Sequence, residues 1–175
     1  MLRISALILL FISLVFASCD DASNNSKRKI DKEKLDKELV ALNKANIEVE
    51  DRQIDDYLNR RGWNFERTKS GLRYFIYQKG LGQMPYSGGS VVIDYEISLI
   101  RGEVLYSSKE LGPKVFVVDK SEEPSGLQEA IKLLKVGDKA KLVVPSYLAY
   151  GLLGDDNKIP TKATLFYDIY LKEIR

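Results

Sequence analysis

The chain has 175 residues, of which 45% are hydrophobic and 30% are charged, a balance typical of one globular domain with an appendage. Basic and acidic residues nearly cancel, and the formal net charge of +2 gives no strong field for binding nucleic acid. The sequence has no histidine and a single cysteine, which excludes histidine-dependent bases and nucleophiles, intrachain disulfides, and metal clusters built from cysteine or histidine.

The amino terminus has the pattern of a bacterial lipoprotein signal. The apolar run Ile4–Phe16 is shorter than the roughly 20 residues that cross a bilayer, so it predicts a signal peptide over residues 1–18. The lone cysteine, Cys19, directly follows Ala17-Ser18, and the site resembles a lipobox, whose cysteine is acylated with lipid such as palmitate. Phe16, three positions before the cysteine, stands where a lipobox usually has an aliphatic residue. A chance cysteine beside an uncut signal is the alternative, and the position of the cysteine favours lipidation.

Lipidation implies a protein anchored in the cell envelope, on the periplasmic side or at the outer membrane. Residues 19–30 are polar and aperiodic, and they predict a flexible tether between the bilayer and the rest of the chain.

Residues 31–65 are predicted to form a helical arm. Apolar residues fall on one helical face in a first segment, at Leu35, Leu39 and Leu42, and in a second segment, at Ile54, Tyr57 and Leu58. Gly62 then has the position of a C′ glycine that ends the helix. The two segments can pair with each other, with a second copy of the chain in a homodimer, or with the following domain. Trp63 and Phe65 are predicted to wedge the arm against that domain.

From Gly71 the hydrophobic period changes to two, which predicts about five antiparallel strands. The candidate segments are "LRYFIYQK", "VVIDYEISLI", "EVLYSS", "VFVVD", "AKLVVP" and "ATLFYDIYLKEI". Between the fourth and fifth segments, Pro124 begins a short helix with one apolar stripe, formed by Leu127, Ala130, Ile131 and Leu134. These elements predict an α+β domain in which a twisted antiparallel half-barrel sheet wraps around one short helix and encloses a small pocket.

The stretch "KVGDKAKLVVPSYLAYGLLGDDNKIPTKATLFYDIYL" resembles the carboxy-terminal half of FKBP-type peptidyl-prolyl cis-trans isomerases. The strongest matches are Pro145, the "LAYG" signature at Leu148–Gly151, Ile159-Pro160, and "ATL" before Asp168. "VVIDYEISL" and "PSGLQEAIKLLKVGD" fit the same frame, so the resemblance covers a domain at residues 71–175. With the lipobox and the arm, the whole chain is similar to FKBP-type lipoproteins of Bacteroidetes-like bacteria, some of them associated with gliding motility.

The resemblance implies which residues bind substrate. A proline pocket would be lined by Tyr95, Leu105, Phe116, Leu127, Tyr150, Ile159 and Tyr167. Tyr150, beside Ala149 in the signature, would donate its hydroxyl to a substrate carbonyl. Glu123 and Pro124 match positions that contact the peptide through backbone atoms, and the loop 152–158 would overhang the pocket.

The implied function is isomerisation of Xaa-Pro bonds in exported proteins, without metal or cofactor. Rotation about a peptide bond faces a barrier of ~18–20 kcal/mol but makes and breaks no bond, so it requires no imidazole. Leu105-Tyr106 stands where the family commonly has Phe-Asp, and Leu127 stands where it more often has Trp. These departures predict reduced activity, since one preorganised polar group is missing.

Two alternatives remain beside the enzyme. The fold can serve as a catalytically weakened chaperone or scaffold that binds proline-containing segments in an envelope complex. Alternatively, inward-facing aromatic residues are ordinary core residues that bind no substrate. This interpretation is the one predicted for Tyr74, Tyr77 and Tyr170.

Overall fold

The computed structural model describes residues 32–175, in two units that divide between Val40 and Ala41. The predictions for the signal peptide, the acylated Cys19 and the tether lie outside the described residues. In the first unit, residues 32–40 are helical and exposed. Within residues 32–175, none of the helices combines the length and the apolar character that a bilayer span requires.

Helix α1 (Lys32–Arg60) is one continuous helix. The interpretation of two segments that pair with each other is therefore wrong, because residues 43–53 contain neither glycine nor proline to interrupt the helix. The helix ends at Arg60, and Gly62 is the C′ residue as predicted, with φ +65°. The Gly62 amide donates to the Asn59 carbonyl at 3.0 Å and the Trp63 amide to the Leu58 carbonyl at 3.1 Å, which is a Schellman motif.

The strand-rich body confirms the predicted α+β class. Its strands are β1 (Glu66–Arg67), β2 (Arg73–Gln78), β3 (Ser90–Leu99), β4 (Val104–Ser107), β5 (Lys114–Val117), β6 (Lys139–Val144) and β7 (Leu165–Ile174). Its short helices are α2 (Ser108–Leu111), α3 (Ser125–Ile131) and a 3₁₀ turn at Ser146–Leu148. The pattern missed β1 because two residues are too few to show alternation.

All described strand pairs are antiparallel, in the order β1-β2-β6-β7-β3-β4, and β5 pairs with β3. The registers align the inward-facing residues of the three central strands. Tyr167 on β7 lies opposite Leu142 on β6 and opposite Ile97 on β3. These side chains share one buried cluster with the apolar stripe of α3, so the short helix covers the inner face of the sheet as predicted.

Helix α3 approaches strand β6 at a glycine. A Cβ atom on Gly126 would lie 2.5 Å from Cγ1 of Val144 and 3.1 Å from the carbonyl oxygen of Leu148. Any larger residue would push the helix away from the turn that precedes Tyr150. Gly126 therefore sets the spacing between α3 and the segment with the "LAYG" signature.

The outer face of the sheet holds the carboxy-terminal part of α1. Ile54 and Leu58 are buried against Val143. The Trp63 ring lies 5.8 Å from that of Phe166, centroid to centroid. The Phe65 ring lies 6.4 Å from the same phenylalanine, so the predicted wedge of two aromatic residues is confirmed.

Charged residues reinforce this docking. Arg73 on β2 is only 1% exposed, and its guanidinium contacts the carboxylates of Asp51 and Asp55 on α1, each at 2.7 Å.

The interpretation of Tyr77, on the same strand, as an ordinary core residue is wrong, because its side chain is 43% exposed. The Tyr77 hydroxyl bonds to Asp168 at 2.7 Å instead, because the outer face of β2 is partly open to solvent.

Candidate active site

Six of the predicted pocket residues lie together in the core. Each is at most 8% exposed, and they come from β3, β4, β5, α3, the loop before β7 and β7 itself: Tyr95, Leu105, Phe116, Leu127, Ile159 and Tyr167. The sheet registers bring Tyr95 opposite Ile169 and Phe116 opposite Val91, so side chains distant in sequence meet on one face. The result is an apolar surface made by six separate parts of the domain.

Tyr150 lies half-buried against this apolar surface, next to the partly buried Ala149. Burial raises the pKa of the Tyr150 phenol to about 12, and the nearby carboxylates of Glu123 and Asp155 add to the rise, as do the phenols of Tyr106 and Tyr95. The hydroxyl is therefore a hydrogen-bond donor throughout the physiological pH range. It stands between an apolar surface and two acidic groups.

A second phenol, that of Tyr167, lies near the Tyr150 hydroxyl. Tyr167 is 1% exposed, and burial raises its pKa well above the ordinary value, with further contributions from Tyr150, Glu123 and Tyr95. The three tyrosines predicted for the site, on β3, β7 and the segment after the 3₁₀ turn, are thus close enough to influence one another electrostatically.

Asp155 is a site residue that the sequence analysis gave no role. Its carboxylate accepts a hydrogen bond from the hydroxyl of Tyr106, and its other oxygen accepts from the Ile159 amide at 2.7 Å and the Asn157 amide at 3.1 Å. Burial raises the pKa of Asp155, but these donors outweigh burial and leave the pKa below its ordinary value. The sequence predicts that a polar group is missing at Leu105-Tyr106. The structure places the carboxylate of Asp155 against the Tyr106 hydroxyl, so an acidic group is present there after all.

The loop 152–158 is fastened to β4 at a second point. The Nζ atom of Lys158 donates to the carbonyl oxygen of Leu105 at 3.0 Å and lies 5.3 Å from the centroid of the Tyr106 ring. Leu152 and Leu153, the first two residues of the loop, are 60% and 81% exposed. The loop is thus fixed at Asp155 and Lys158 and begins with two exposed apolar side chains.

The residues before α3 are placed by an ion pair. Both carboxylate oxygens of Glu123 contact Nζ of Lys114, at 2.9 and 3.0 Å, and this Nζ lies 5.7 Å from the Tyr95 ring centroid. The Pro124 carbonyl accepts from the amides of Leu127 and Gln128 and starts the helix. The side chain of Glu123 is thus occupied. Its predicted contact with peptide through the backbone stays a prediction, as do the substrate roles of the other site residues.

Comparison with known proteins identifies the family. The model for "FKBP-type peptidyl-prolyl cis-trans isomerase" matches residues 82–172, just over half of the chain. The chain belongs to this family. The resemblance drawn from the "LAYG" segment is therefore confirmed at the level of the family.

Several FKBP-type relatives are similar over most of the chain. The probable FKBP-type isomerase FkpA of Neisseria meningitidis serogroup B is 37% identical over 132 residues, which are 75% of this chain and 47% of that protein. FkpA of Escherichia coli K12 is 35% identical over 164 residues, 89% of this chain and 60% of that protein. The chain thus spans about half the length of the curated relatives it matches.

Solved FKBP-type structures share the fold. The crystal structure of FkpA from Escherichia coli has a TM-score of 0.62 at 27% identity, covering 98% of this chain and 82% of that one. The crystal structure of AtFKBP13 has a TM-score of 0.60 at 27% identity, covering 64% of this chain and 99% of that one. These matches confirm the FKBP-like sheet preceded by a helix.

Proposed function

We propose that the chain is a peptidyl-prolyl cis-trans isomerase that accelerates rotation about Xaa-Pro bonds in exported polypeptides. The observation that carries the proposal is the half-buried Tyr150 hydroxyl, held protonated at the edge of the apolar surface. Family membership supports the same conclusion.

The mechanism needs only binding and hydrogen bonding. Amide resonance separates charge, so an apolar environment of Tyr95, Phe116 and Tyr167 disfavours the planar amide relative to the twisted one. Tyr150 donates to the carbonyl that precedes proline while the other side of the bond rotates. Catalysis follows if the site binds the twisted amide more tightly than either planar form.

The departures from the family pattern predict an activity that is measurable but reduced. Leu105 and Leu127 stand where the resemblance implies larger aromatic residues, and both are buried, so a proline ring would contact smaller side chains there. Asp155 supplies a carboxylate to the site from the loop, but Tyr106 already binds it. A substrate therefore meets an acidic group whose hydrogen-bonding capacity is partly used.

Isomerase activity is tested by NMR exchange spectroscopy on Xaa-Pro peptides, with the full chain solubilised in detergent. We expect acceleration over the uncatalysed rate and a roughly tenfold weaker acceleration in Tyr150→Phe, with Tyr170→Phe on β7 as a matched control that keeps activity. Absence of acceleration rejects the enzyme. If the protein gives no acceleration but still binds Xaa-Pro peptides, and Tyr150→Phe binds them too, the alternative of a catalytically weakened chaperone or scaffold is favoured.

We also propose that the chain forms a homodimer through the helical arm. Leu35, Leu39, Leu42, Asn46 and Val49 follow one another at alternating spacings of four and three, the spacing of a coiled-coil seam. The apolar members are 41–61% exposed, so this face is open to a second copy. Sedimentation velocity tests the dimer, which Leu42→Lys is expected to dissociate and the off-seam Ala41→Lys is not.

The lipid anchor is a further part of the proposal. The lone Cys19 after a signal-like apolar run supports acylation and attachment to the envelope membrane, on the periplasmic side or at the outer membrane. Labelled palmitate should be incorporated into the wild type and not into Cys19→Ser. Similarity to lipoproteins of gliding bacteria stays a prediction.

A further inference from the structure

The carboxylate of Glu50 on α1 contacts both ends of the segment that contains Tyr150. Its Oε1 atom accepts from the Ser146 amide at 2.7 Å and from the Thr164 hydroxyl at 2.6 Å. Its Oε2 atom accepts from the Ser146 hydroxyl at 2.8 Å. One side chain of the arm thus joins the start of the 3₁₀ turn to the residue that precedes β7.

Ser146 in turn forms hydrogen bonds with the residues on both sides of Tyr150. Its carbonyl oxygen accepts from the Ala149 amide at 3.0 Å and from the Gly151 amide at 2.8 Å. Ser146 is 8% exposed, so water competes little for these bonds. The hydrogen bonds therefore run without interruption from Glu50 through Ser146 to the two peptide groups that flank the Tyr150 side chain.

The far end of the segment is linked in the same way. The Gly151 carbonyl accepts from the Lys162 amide at 2.9 Å, and Thr164, two residues further on, binds Glu50. Strands β6 and β7 already pair at Val144 and Leu165, just outside the segment 146–164. Glu50 adds a bridge between the two ends of the segment, which lowers the number of conformations open to Tyr150 and Ile159.

Docking of the arm also has contacts that do not involve Glu50. Arg73 binds Asp51 and Asp55, and Ile54 and Leu58 are buried against the outer face of the sheet. The side chain of Asp55 contacts Arg67 and Arg73, and these contacts include none with the segment 146–164. Glu50 and Asp55, about one and a half turns apart on α1, thus contact different parts of the domain, and their roles can be tested separately.

We propose that Glu50 is a positioning residue for Tyr150, so that the helical arm orders the active-site loop. The proposal rests on the isomerase function proposed above, and it makes the arm a part of the catalytic unit in addition to any role in dimerisation. Hydrogen bonds that an ionised carboxylate accepts from an amide and two hydroxyls are strong enough to hold the ends of the segment.

The test compares Glu50→Ala, Glu50→Gln and Asp55→Asn in the full chain. In Glu50→Ala, kcat/KM for an Xaa-Pro peptide should fall about tenfold, mainly through kcat, because Tyr150 is no longer held in place. Glu50→Gln should recover most of the activity, since its amide oxygen accepts from Ser146 and Thr164 and its amide nitrogen donates to the Ser146 hydroxyl. Asp55→Asn should lower Tm and keep kcat/KM within about twofold of the wild type.

A second readout separates this proposal from the function on which it rests. In the peptide-free protein, amide NMR signals of Ala149 and Gly151 should broaden in Glu50→Ala and stay sharp in Asp55→Asn. Unchanged kcat/KM and signals in Glu50→Ala, or equal loss in Asp55→Asn, overturn the positioning role. If the wild type gives no acceleration, the isomerase proposal fails, and the NMR signals alone decide whether Glu50 orders the loop.

Discussion

The hydroxyl of Tyr106 on β4 donates a hydrogen bond to the carboxylate of Asp155 on the loop that follows Tyr150. The other oxygen of this carboxylate accepts from the amide of Ile159, a predicted pocket residue. A phenol and an acid on two different segments therefore hold the loop base against the sheet. The resemblance implies an acid at position 106, whereas in this chain the carboxylate beside that position belongs to Asp155 on the loop.

Tyr106 and Asp155 are expected to be coupled energetically. Tyr106→Phe and Asp155→Asn should each lower the free energy of unfolding, with a coupling of about 1 kcal/mol in a double-mutant cycle, since the bond has one charged partner. Chemical denaturation measures the four proteins. The exposed pair Tyr74–Glu66, with a bond of 2.6 Å, is the control and should show almost none. Equal coupling for the two pairs would contradict the assignment.

The same pair predicts a dependence of stability on pH. The pKa of Asp155 is lower in the folded chain than its ordinary value of 3.8, so the ionised carboxylate stabilises the fold above that value. This stabilisation is lost as the pH falls through the lower, folded pKa. The difference in unfolding free energy between wild type and Asp155→Asn should therefore be constant from about pH 7 to pH 5 and shrink below about pH 4. A difference that grows on acidification contradicts this sign.

Tyr150 should make catalysis independent of pH over a wide range. Because burial raises the pKa of its phenol to about 12, the hydroxyl remains a donor and kcat/KM should be flat between about pH 6 and pH 10. Activity should fall only as the pH rises toward the pKa. Tyr150→Phe should reduce kcat/KM roughly tenfold at every pH in that range, because a single hydrogen bond is lost. NMR exchange spectroscopy measures both. A bell-shaped profile near neutrality would point to a different titrating group.

The sequence predicted the sheet and the inward orientation of its apolar side chains well. Alternation in "VVIDYEISLI" placed Val91, Ile93 and Tyr95 on the inner face, and burial of 0–8% agrees. The matching pattern in β7 placed Tyr167 beside them. These positions were predictable because strand periodicity depends only on neighbouring residues.

The polar contacts of the site were not predictable in this way. Asp155 binds Tyr106 across 49 positions, and Glu50 binds Thr164 across 114. No local pattern records such pairs, since each depends on how two segments meet in the folded chain. Arg73 also alternated as an outward residue in β2 but is 1% exposed, because α1 covers it.

Arg73 should be among the most sensitive charged positions in the domain. Arg73→Met removes the buried guanidinium that both Asp51 and Asp55 contact and leaves them only the more exposed Arg67, so it should lower the free energy of unfolding by about 2 kcal/mol. Arg73→Lys should recover only part of this, because an ammonium cannot bind both carboxylates with the geometry of a guanidinium. Urea denaturation followed by circular dichroism measures each variant.

The control for Arg73 is the exposed pair Lys37–Glu33, whose side chains are 75% and 78% exposed. Lys37→Met should change the stability by less than about 0.5 kcal/mol, since exposed pairs contribute little. If Arg73→Met is as mild as Lys37→Met, the buried ion pairs do not hold the arm to the sheet.

A substitution at Gly126 should change both the packing of α3 and the isomerase activity. In a free helix, Ala is favoured over Gly by about 1 kcal/mol, so Gly126→Ala would stabilise α3 if space allowed. The new Cβ would instead lie 2.5 Å from Cγ1 of Val144, and the clash should reverse the sign and cost about 1–3 kcal/mol. It should also lower kcat/KM, because the displaced helix disturbs the carbonyl of Leu148, two residues before Tyr150.

The double variant Gly126→Ala/Val144→Ala distinguishes a clash from a need for glycine flexibility. Removing the Val144 methyl groups gives the new Cβ room, so the double variant should be more stable than the sum of the two single changes predicts. Thermal unfolding and the NMR exchange assay measure this on the four proteins of the cycle. Strict additivity would show that the two side chains do not compete for the same space, and the spacing between α3 and β6 would then have another cause.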